Sequence, residues 1–207
     1  VSANQDLGFS IVQCTAVSGN FNCGHGLSKA PELVFNKTTS VSSYWEVMYP
    51  DTFGQASGSS NPSDWNRIKL NEANAKMSSN AYLAADSTKL YNGAWGTGVD
   101  LINYCWHSVP KYSKIGSYTG NRPTTVTVNT EFEPAWIMIK DTTNNGEGWA
   151  MIDNKRGDEL LEAQSTSANT SYNSIQFTST GFTAGDSGLV NTSGATIIYM
   201  AFAVPLT

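Results

Sequence analysis

Few residues of this sequence have the type and spacing that chemistry demands. Nucleophilic acyl transfer needs a nucleophile, a base that activates it and a carboxylate that orients the base. Gly185-Asp186-Ser187-Gly188 has the look of a nucleophile loop, but Leu189 follows where serine proteases continue with Gly-Pro. Two histidines are available as base: His25 in a Gly-rich turn and His107 in a strand ending at Pro110. Neither has the sequence surroundings of a catalytic histidine. Glycoside hydrolysis needs two carboxylates facing each other across a cleft, roughly 5–9.5 Å apart. Glu131 and Glu133 share one strand face before Pro134, which does not set them across a cleft, and Asp158, Glu159 and Glu162 read as a solvated acidic segment. Two histidines without a Cys-x-x-Cys give no zinc signature. Calcium suits the Asp- and Asn-rich loops better, although no loop has recognisable ligand spacing. The expectation is a protein that is not an enzyme and has no cofactor, calcium being the one open candidate.

Binding asks for less than catalysis. Tyr91-Asn92-Gly93-Ala94-Trp95-Gly96-Thr97-Gly98 is the loop richest in aromatics and glycine. Glycine lets a backbone approach a ligand, Asn supplies donors and acceptors, and an aromatic face stacks on a sugar ring. Tyr91 and Trp95, with Trp65 beside Pro62, are the candidate ligand-binding residues. The competing reading makes Trp95 a plug at the edge of the core, because a match at 95 residues' distance aligns it with Val190. Asn36-Lys37-Thr38, Asn169-Thr170-Ser171 and Asn191-Thr192-Ser193 are formal glycosylation sequons, of a kind that a Ser/Thr/Asn-rich chain produces by composition. Cys14 and Cys23 flank Ser18-Gly19-Asn20, a turn-forming sequence that would let them pair across a hairpin. The odd count of three, with Cys105, argues against a disulfide framework, so free buried thiols remain the alternative.

The elements that would position these residues read as strands. The chain has 207 residues, enough to bury roughly 70% of its unfolded surface without a staple. Charged residues make up 14% and aromatics 11%, with six Trp. That combination excludes a disordered chain and suits a β-protein with a polar, uncharged surface. The net charge is −5, and the longest basic run is Lys155-Arg156. Nucleic-acid binding requires a basic stripe, which is absent, and an anionic membrane would repel this surface. No apolar run approaches the roughly 20 residues of a spanning helix, and Val1 opens a polar segment unlike a signal peptide. Apolar residues alternate with period two in Tyr44 to Tyr49 and Ile175 to Phe177, the strand signature. Asn144-Asn145-Gly146 is the strongest hairpin signal. The one helix candidate follows Asn61-Pro62-Ser63-Asp64, and Arg67 to Asn71 reads equally well as strand.

The chain also repeats itself. Phe9-Ser10 returns as Tyr112-Ser113, Pro31 as Pro134 and Lys37 as Lys140, all at an offset of 103, while Trp45 returns as Trp149 at 104. Leu101-Ile102-Asn103-Tyr104 to Val109-Pro110 returns as Thr196-Ile197-Ile198-Tyr199 to Val204-Pro205 at an offset of 95. Repeats in fixed order predict two copies of one unit. The expectation is an all-β protein of two tandem antiparallel β-sandwich or jelly-roll repeats packed together, residues 1–110 and 111–207.

The second half reads Gly116-Ser117-Tyr118-Thr119-Gly120-Asn121, Phe132-x-Pro134, Ile137-Met138-Ile139-Lys140, Trp149, Asp153-Asn154-Lys155-Arg156-Gly157, Asn191-Thr192-Ser193-Gly194 and Tyr199-Met200-Ala201-Phe202. The first matches through Gly8-Phe9-Ser10-Ile11-Val12, Gly24-His25-Gly26-Leu27 and Ala30-Pro31. This pattern resembles a duplicated, concanavalin A-like β-sandwich module of tailed-phage virion proteins, over about residues 8 to 206. Glu131-Phe132 departs from it, where a Gly-Phe pair is usual. The resemblance implies a virion or extracellular setting: a tail fibre, appendage or capsid decoration that homo-oligomerises, contacts other virion proteins and displays loops for host attachment. Recognition of host surface glycans as a carbohydrate-binding module is the alternative. It supplies no catalytic residues.

Overall fold

The structure, a computed structural model, describes residues 1–53, 61, 64–77, 83–93, 95–157 and 159–204. Ala94, Asp158, Pro205 and the Pro62-Ser63 pair therefore lie outside the described residues. The chain divides into two compact units: unit 1 is Val1–Lys69 with Lys76–Ser108, and unit 2 is Val109–Thr207 with Leu70–Ala75. That last segment is tied into unit 2 by Gly146 N–H to Ala73 O (2.7 Å) and Ala75 N–H to Asn145 Oδ1 (2.9 Å).

Unit 1 holds β1 (Ser2–Asn4), β2 (Phe9–Thr15), β3 (Phe21–Gly24), β4 (Leu33–Thr38), β5 (Glu46–Pro50), β6 (Trp65–Lys69), β7 (Leu83–Ala85), β8 (Lys89–Asn92) and β9 (Asp100–Trp106). They form a six-stranded sheet, β1-β2-β9-β4-β5-β6, and a three-stranded sheet, β3-β8-β7. Unit 2 holds β10 (Ser113–Thr119), β11 (Val126–Asn129), β12 (Pro134–Asp141), β13 (Trp149–Asp153), β14 (Glu159–Glu162), β15 (Thr170–Ser171), β16 (Ile175–Thr178), β17 (Gly181–Ala184), the four-residue helix α1 (Gly188–Asn191) and β18 (Thr196–Ala203). Its sheets run β10-β18-β12-β13-β14-β15 and β11-β17-β16. Apart from β1 and β15, each added at an edge, the two strand orders are the same. The fold is all-β, and the paired strands are antiparallel.

Period two explains the layers. Along β2 buried and less buried residues alternate, as they do along β9. The inward positions of both sheets meet in one core per unit, which makes each unit a sandwich. In unit 1 that core includes Val12, Val34, Met48, Trp65, Ala85, Leu90 and Cys105. In unit 2 it includes Ile137, Ile139, Ile152, Phe182, Val190 and Tyr199. Burying side chains of this size contributes roughly 1.5–3 kcal/mol each, so the two cores dominate stability.

One open reading is decided and one expectation changes. Of the helix and strand readings near Arg67, the strand holds: β6 runs from Trp65 and buries Trp65 and Ile68, 3% and 0% exposed. Tyr104 and Tyr199, aligned in the sequence, face opposite ways. Tyr199 points inward to Phe182, with ring centroids 5.5 Å apart, whereas Tyr104 alternates with core residue Cys105 and lies against Trp106 and Trp45 on the other face. A one-residue slip in a strand moves every side chain to the opposite face.

Candidate functional site

At one end of unit 1 three connections meet: residues 16–20 after β2, 39–45 after β4 and 93–99 before β9. Their backbones are stitched to one another. Ala16 N–H donates to Val99 O (2.7 Å), Gly98 N–H to Ala16 O (2.9 Å) and Thr39 N–H to Asp100 O (2.8 Å). Asp100 N–H donates to Ser40 Oγ (2.8 Å), and Thr15 Oγ1 donates to the Asp100 carboxylate (2.6 Å). Gly98 takes φ +84°, a value glycine adopts without steric cost, and closes the turn. On this frame Val17 and Val41 stand exposed at 57% and 45%, and Gly96, Thr97 and Gly98, which follow Trp95 in sequence, are exposed as well. Trp95 is half-buried, and its indole N–H is shut away from solvent with no hydrogen-bond partner.

The matching end of unit 2 is closed. The sequence match sets Val190 against Trp95, but Gly194 N–H bonds to Gly120 O as Gly98 N–H does to Ala16 O, which makes Asn191 the counterpart; Val190 itself is fully buried on helix α1. Beside it, the buried Asn191 side chain accepts from Asn121 N–H (2.7 Å) and donates to the carbonyls of Thr124 (2.9 Å), Ala184 (3.1 Å) and Gly185 (3.0 Å). Tyr118 Oη donates to Val190 O (2.6 Å), and Arg122 ion-pairs with Asp186. Nothing in the sequence pattern distinguished Asn191 from a loop sequon, yet it is the node that ties three segments together. The sequon at Asn36 is likewise structural: Asn36 is buried and donates to Asn103 Oδ1 (2.7 Å). Asn169 is exposed.

Of the three aromatic candidates, only Trp95 lies in the open loop end. Trp65 is a correction: at 3% exposure its ring belongs to the core and offers no face to a ligand. Tyr91 packs on the edge of the same core, and its hydroxyl donates to Asp86 (2.6 Å). Asp86 also accepts from Thr88 N–H (2.7 Å), Thr88 Oγ1 (3.0 Å) and Lys89 N–H (2.8 Å). The Tyr91 hydroxyl, with these donors, holds the Asp86 carboxyl well below the usual carboxylate range. This is a turn that fixes β7 to β8, so Tyr91 serves the turn.

Most residues considered for catalysis are taken up in other contacts, and the histidines and Ser187 belong to different units. Ser187 Oγ receives the Tyr172 hydroxyl (2.6 Å), and Asp186 faces Arg122. His25 and His107 are both buried, and both belong to unit 1, whereas Ser187 belongs to unit 2. Glu131 ion-pairs with Lys114 (3.4 Å), Glu133 is exposed, and Glu159 accepts from Asn169. Among the described residues, no three His, Cys, Asp or Glu side chains gather to hold a metal ion.

Cys14 and Cys23 are joined in a disulfide, and Cys105 is a buried free thiol. The geometry is not that of a hairpin. Cys14 lies in the six-stranded sheet and Cys23 in the three-stranded one, so the bond fastens the two layers of the sandwich. Burial pushes the Cys105 thiol up to about 12, which leaves it unreactive in the folded state. Lys37 and Lys140 share another device. Lys37 Nζ donates to Ser43 O (2.7 Å) and Lys140 Nζ to Glu147 O (2.7 Å), each tying the loop that follows its own strand. Lys140 is fully buried, and burial pushes its ammonium down to about 8.

Strand order, layered cores and a loop end at each unit define a tandem β-sandwich protein. The chain belongs to the family described as Domain of unknown function (DUF7483), whose model matches residues 1–205. No curated protein and no solved structure matches it.

Proposed function

We propose that this chain is a non-enzymatic structural module of a tailed-phage virion, in a tail fibre, an appendage or a capsid decoration. It assembles with copies of itself and with other virion proteins and displays the loop end of unit 1. The observation that carries this reading is the contrast between the ends of two otherwise equivalent sandwiches. One end is sealed by Val190 and Asn191; the other leaves glycines, hydroxyls and two valines exposed on the loops bonded to the one that carries Trp95. A rigid scaffold with one variable, presented loop cluster is the usual arrangement for recognition. The sequence resemblance and the uncharged polar surface agree with a particle exterior.

A second reading, carbohydrate binding, is favoured by Trp95 itself. A half-buried indole on a glycine-rich loop, whose bonded neighbour loop carries the exposed Thr39 and Ser40, has the groups that stack on and hydrogen-bond to a sugar. Both readings share the same loops. The test is immunogold labelling of purified particles with antibody to this chain. The proposal expects regular labelling of fibres or of the capsid exterior. Labelling confined to the infected-cell lysate, with particles free of the chain, would overturn the virion assignment and leave the glycan reading to be tried on arrays of host polysaccharide.

A further inference from the structure

The chain has two histidines, and both are buried beneath the same short segment, residues 1–8. His25 lies in the turn after β3. Its Nδ1 accepts the Leu27 N–H (3.1 Å), which fixes the proton on Nε2, and Nε2–H donates to Asp86 O (3.1 Å). The turn so held, Gly26 in particular, is the surface on which β1 rests. A Cβ at Gly26 would stand 2.9 Å from the Val1 side chain and 3.1 Å from that of Ala3, and Gln5 Nε2 donates to Gly26 O (2.9 Å). At the other end of the segment, His107 packs under Gly8. A Cβ there would come within 2.8 Å of the imidazole, His107 N–H donates to Gly8 O (3.0 Å), and Nδ1 meets Ser108 O (3.0 Å). His107 Nε2 is buried without a partner.

We propose that the His25 turn forms an acid-sensitive latch, which docks residues 1–8 against unit 1 at neutral pH and releases them when the His25 imidazole is protonated. A proton on His25 Nδ1 would face the Leu27 N–H donor, so the acceptor role is lost and a buried cation replaces a neutral ring. The turn must open to water, and the support under β1 goes with it. Among the described residues, β1 is held besides this turn by its short edge ladder with β2 alone, and its three residues are all exposed.

The surrounding charges do not cancel this. The Asp86 carboxylate favours the His25 cation, His107 opposes it, and burial, the largest effect, holds the His25 pKa below 6.5. Glu32 accepts from Ser108 N–H (2.9 Å), and Lys29 donates to Ser108 O (3.3 Å), next to His107. Lys89 lies opposite Gly24 on β8, and Asp6 is exposed in the β1–β2 turn. The sign follows: a depressed histidine pKa means the open state binds the extra proton, so docking is intact above pH 6.5 and weakens as pH falls.

The experiment is amide hydrogen exchange on the whole chain at pH 7.5 and pH 5.0, corrected for intrinsic exchange. Protection of residues 1–8 and 24–27 should fall by roughly tenfold at pH 5.0, about one pH unit of linkage, while β12 and β18 keep theirs. His25→Asn preserves an acceptor for Leu27 N–H but cannot take up a proton, and should abolish most of the response. Unchanged protection of residues 1–8 in the wild-type chain at pH 5.0 would overturn the latch on its own. So would a full acid response in His25→Asn.

Discussion

The two units solve the same packing problem with different chemistry. In unit 1 the inward residue of β9 is Asn103, opposite Val12 and hydrogen-bonded to Asn36, and the layers are fastened by Cys14–Cys23. In unit 2 the corresponding inward residue of β18 is Tyr199, opposite Gly116. A Cβ on Gly116 would lie 2.9 Å from the Tyr199 hydroxyl, so the glycine makes the room that the ring fills. Tyr118, which stands where Cys14 does in unit 1, closes an aromatic cluster with Phe182 and Tyr199 at centroid distances of 6.0 and 6.3 Å. At this layer one copy sets a pair of hydrogen-bonded asparagines and a crosslink; the other fills the same space with rings. The lesson is that a strand order tolerates either device, provided volume and hydrogen bonding are balanced at each layer.

Three variants probe that contrast. The largest effect is expected from Phe182→Ala, which removes a fully buried ring at the centre of the unit 2 cluster. It should cost about 3–5 kcal/mol and expose unit 2 amides to exchange ahead of those of unit 1. Equal loosening of both units would mean that the cores do not act separately. Next comes Cys14→Ala with Cys23→Ala. Closing a loop with a sequence separation of 9 corresponds to about 2.5 kcal/mol in the chain-entropy view. Denaturant melts should show that loss, with the first protection lost in β2 and β3 rather than in β10 and β11.

The smallest effect concerns Glu131, whose φ is +72°. Left-handed backbone costs a non-glycine residue roughly 1–2 kcal/mol. Glu131→Gly relieves that cost, at the expense of a freer unfolded chain and an exposed ion pair with Lys114 of small worth. A net stabilisation of up to about 1 kcal/mol is expected, read as a rise in melting temperature. A drop would show that the Lys114 contact or the Asn129 bond to Glu131 N–H depends on the side chain.

Glu131 also illustrates what the sequence made legible. At this position, where the resemblance implies glycine, the backbone adopts a left-handed φ of the kind glycine favours. The strands were legible because alternation is a direct consequence of one wet and one dry face, and Lys37 and Lys140 could be matched because they sit at the same register in equivalent strands, opposite Ile102 and Ile198. Tyr104 and Tyr199 were misaligned because an insertion in a loop shifts the count by one, and the apolar run of β18 has no alternation to reveal it. Trp65 read as a ligand-binding candidate because it stands beside Pro62 at the end of a polar stretch, yet β6 needed a large ring on its inner face. Asn191 and the inter-layer placement of the disulfide depend on contacts between segments far apart in the chain, which a local pattern does not encode.

The account turns on Trp95 being free to serve recognition rather than to hold unit 1 together. Its half-buried ring and unpartnered indole N–H imply that Trp95→Ala changes stability by no more than about 1–2 kcal/mol, against about 3–5 for a core Trp. Particles carrying the variant are compared with wild type for attachment to host cells, alongside the thermal stability of the purified chain. The account predicts attachment reduced at least several-fold with near-normal stability. Undiminished attachment, or a loss of several kcal/mol like that of a fully buried ring, would contradict it.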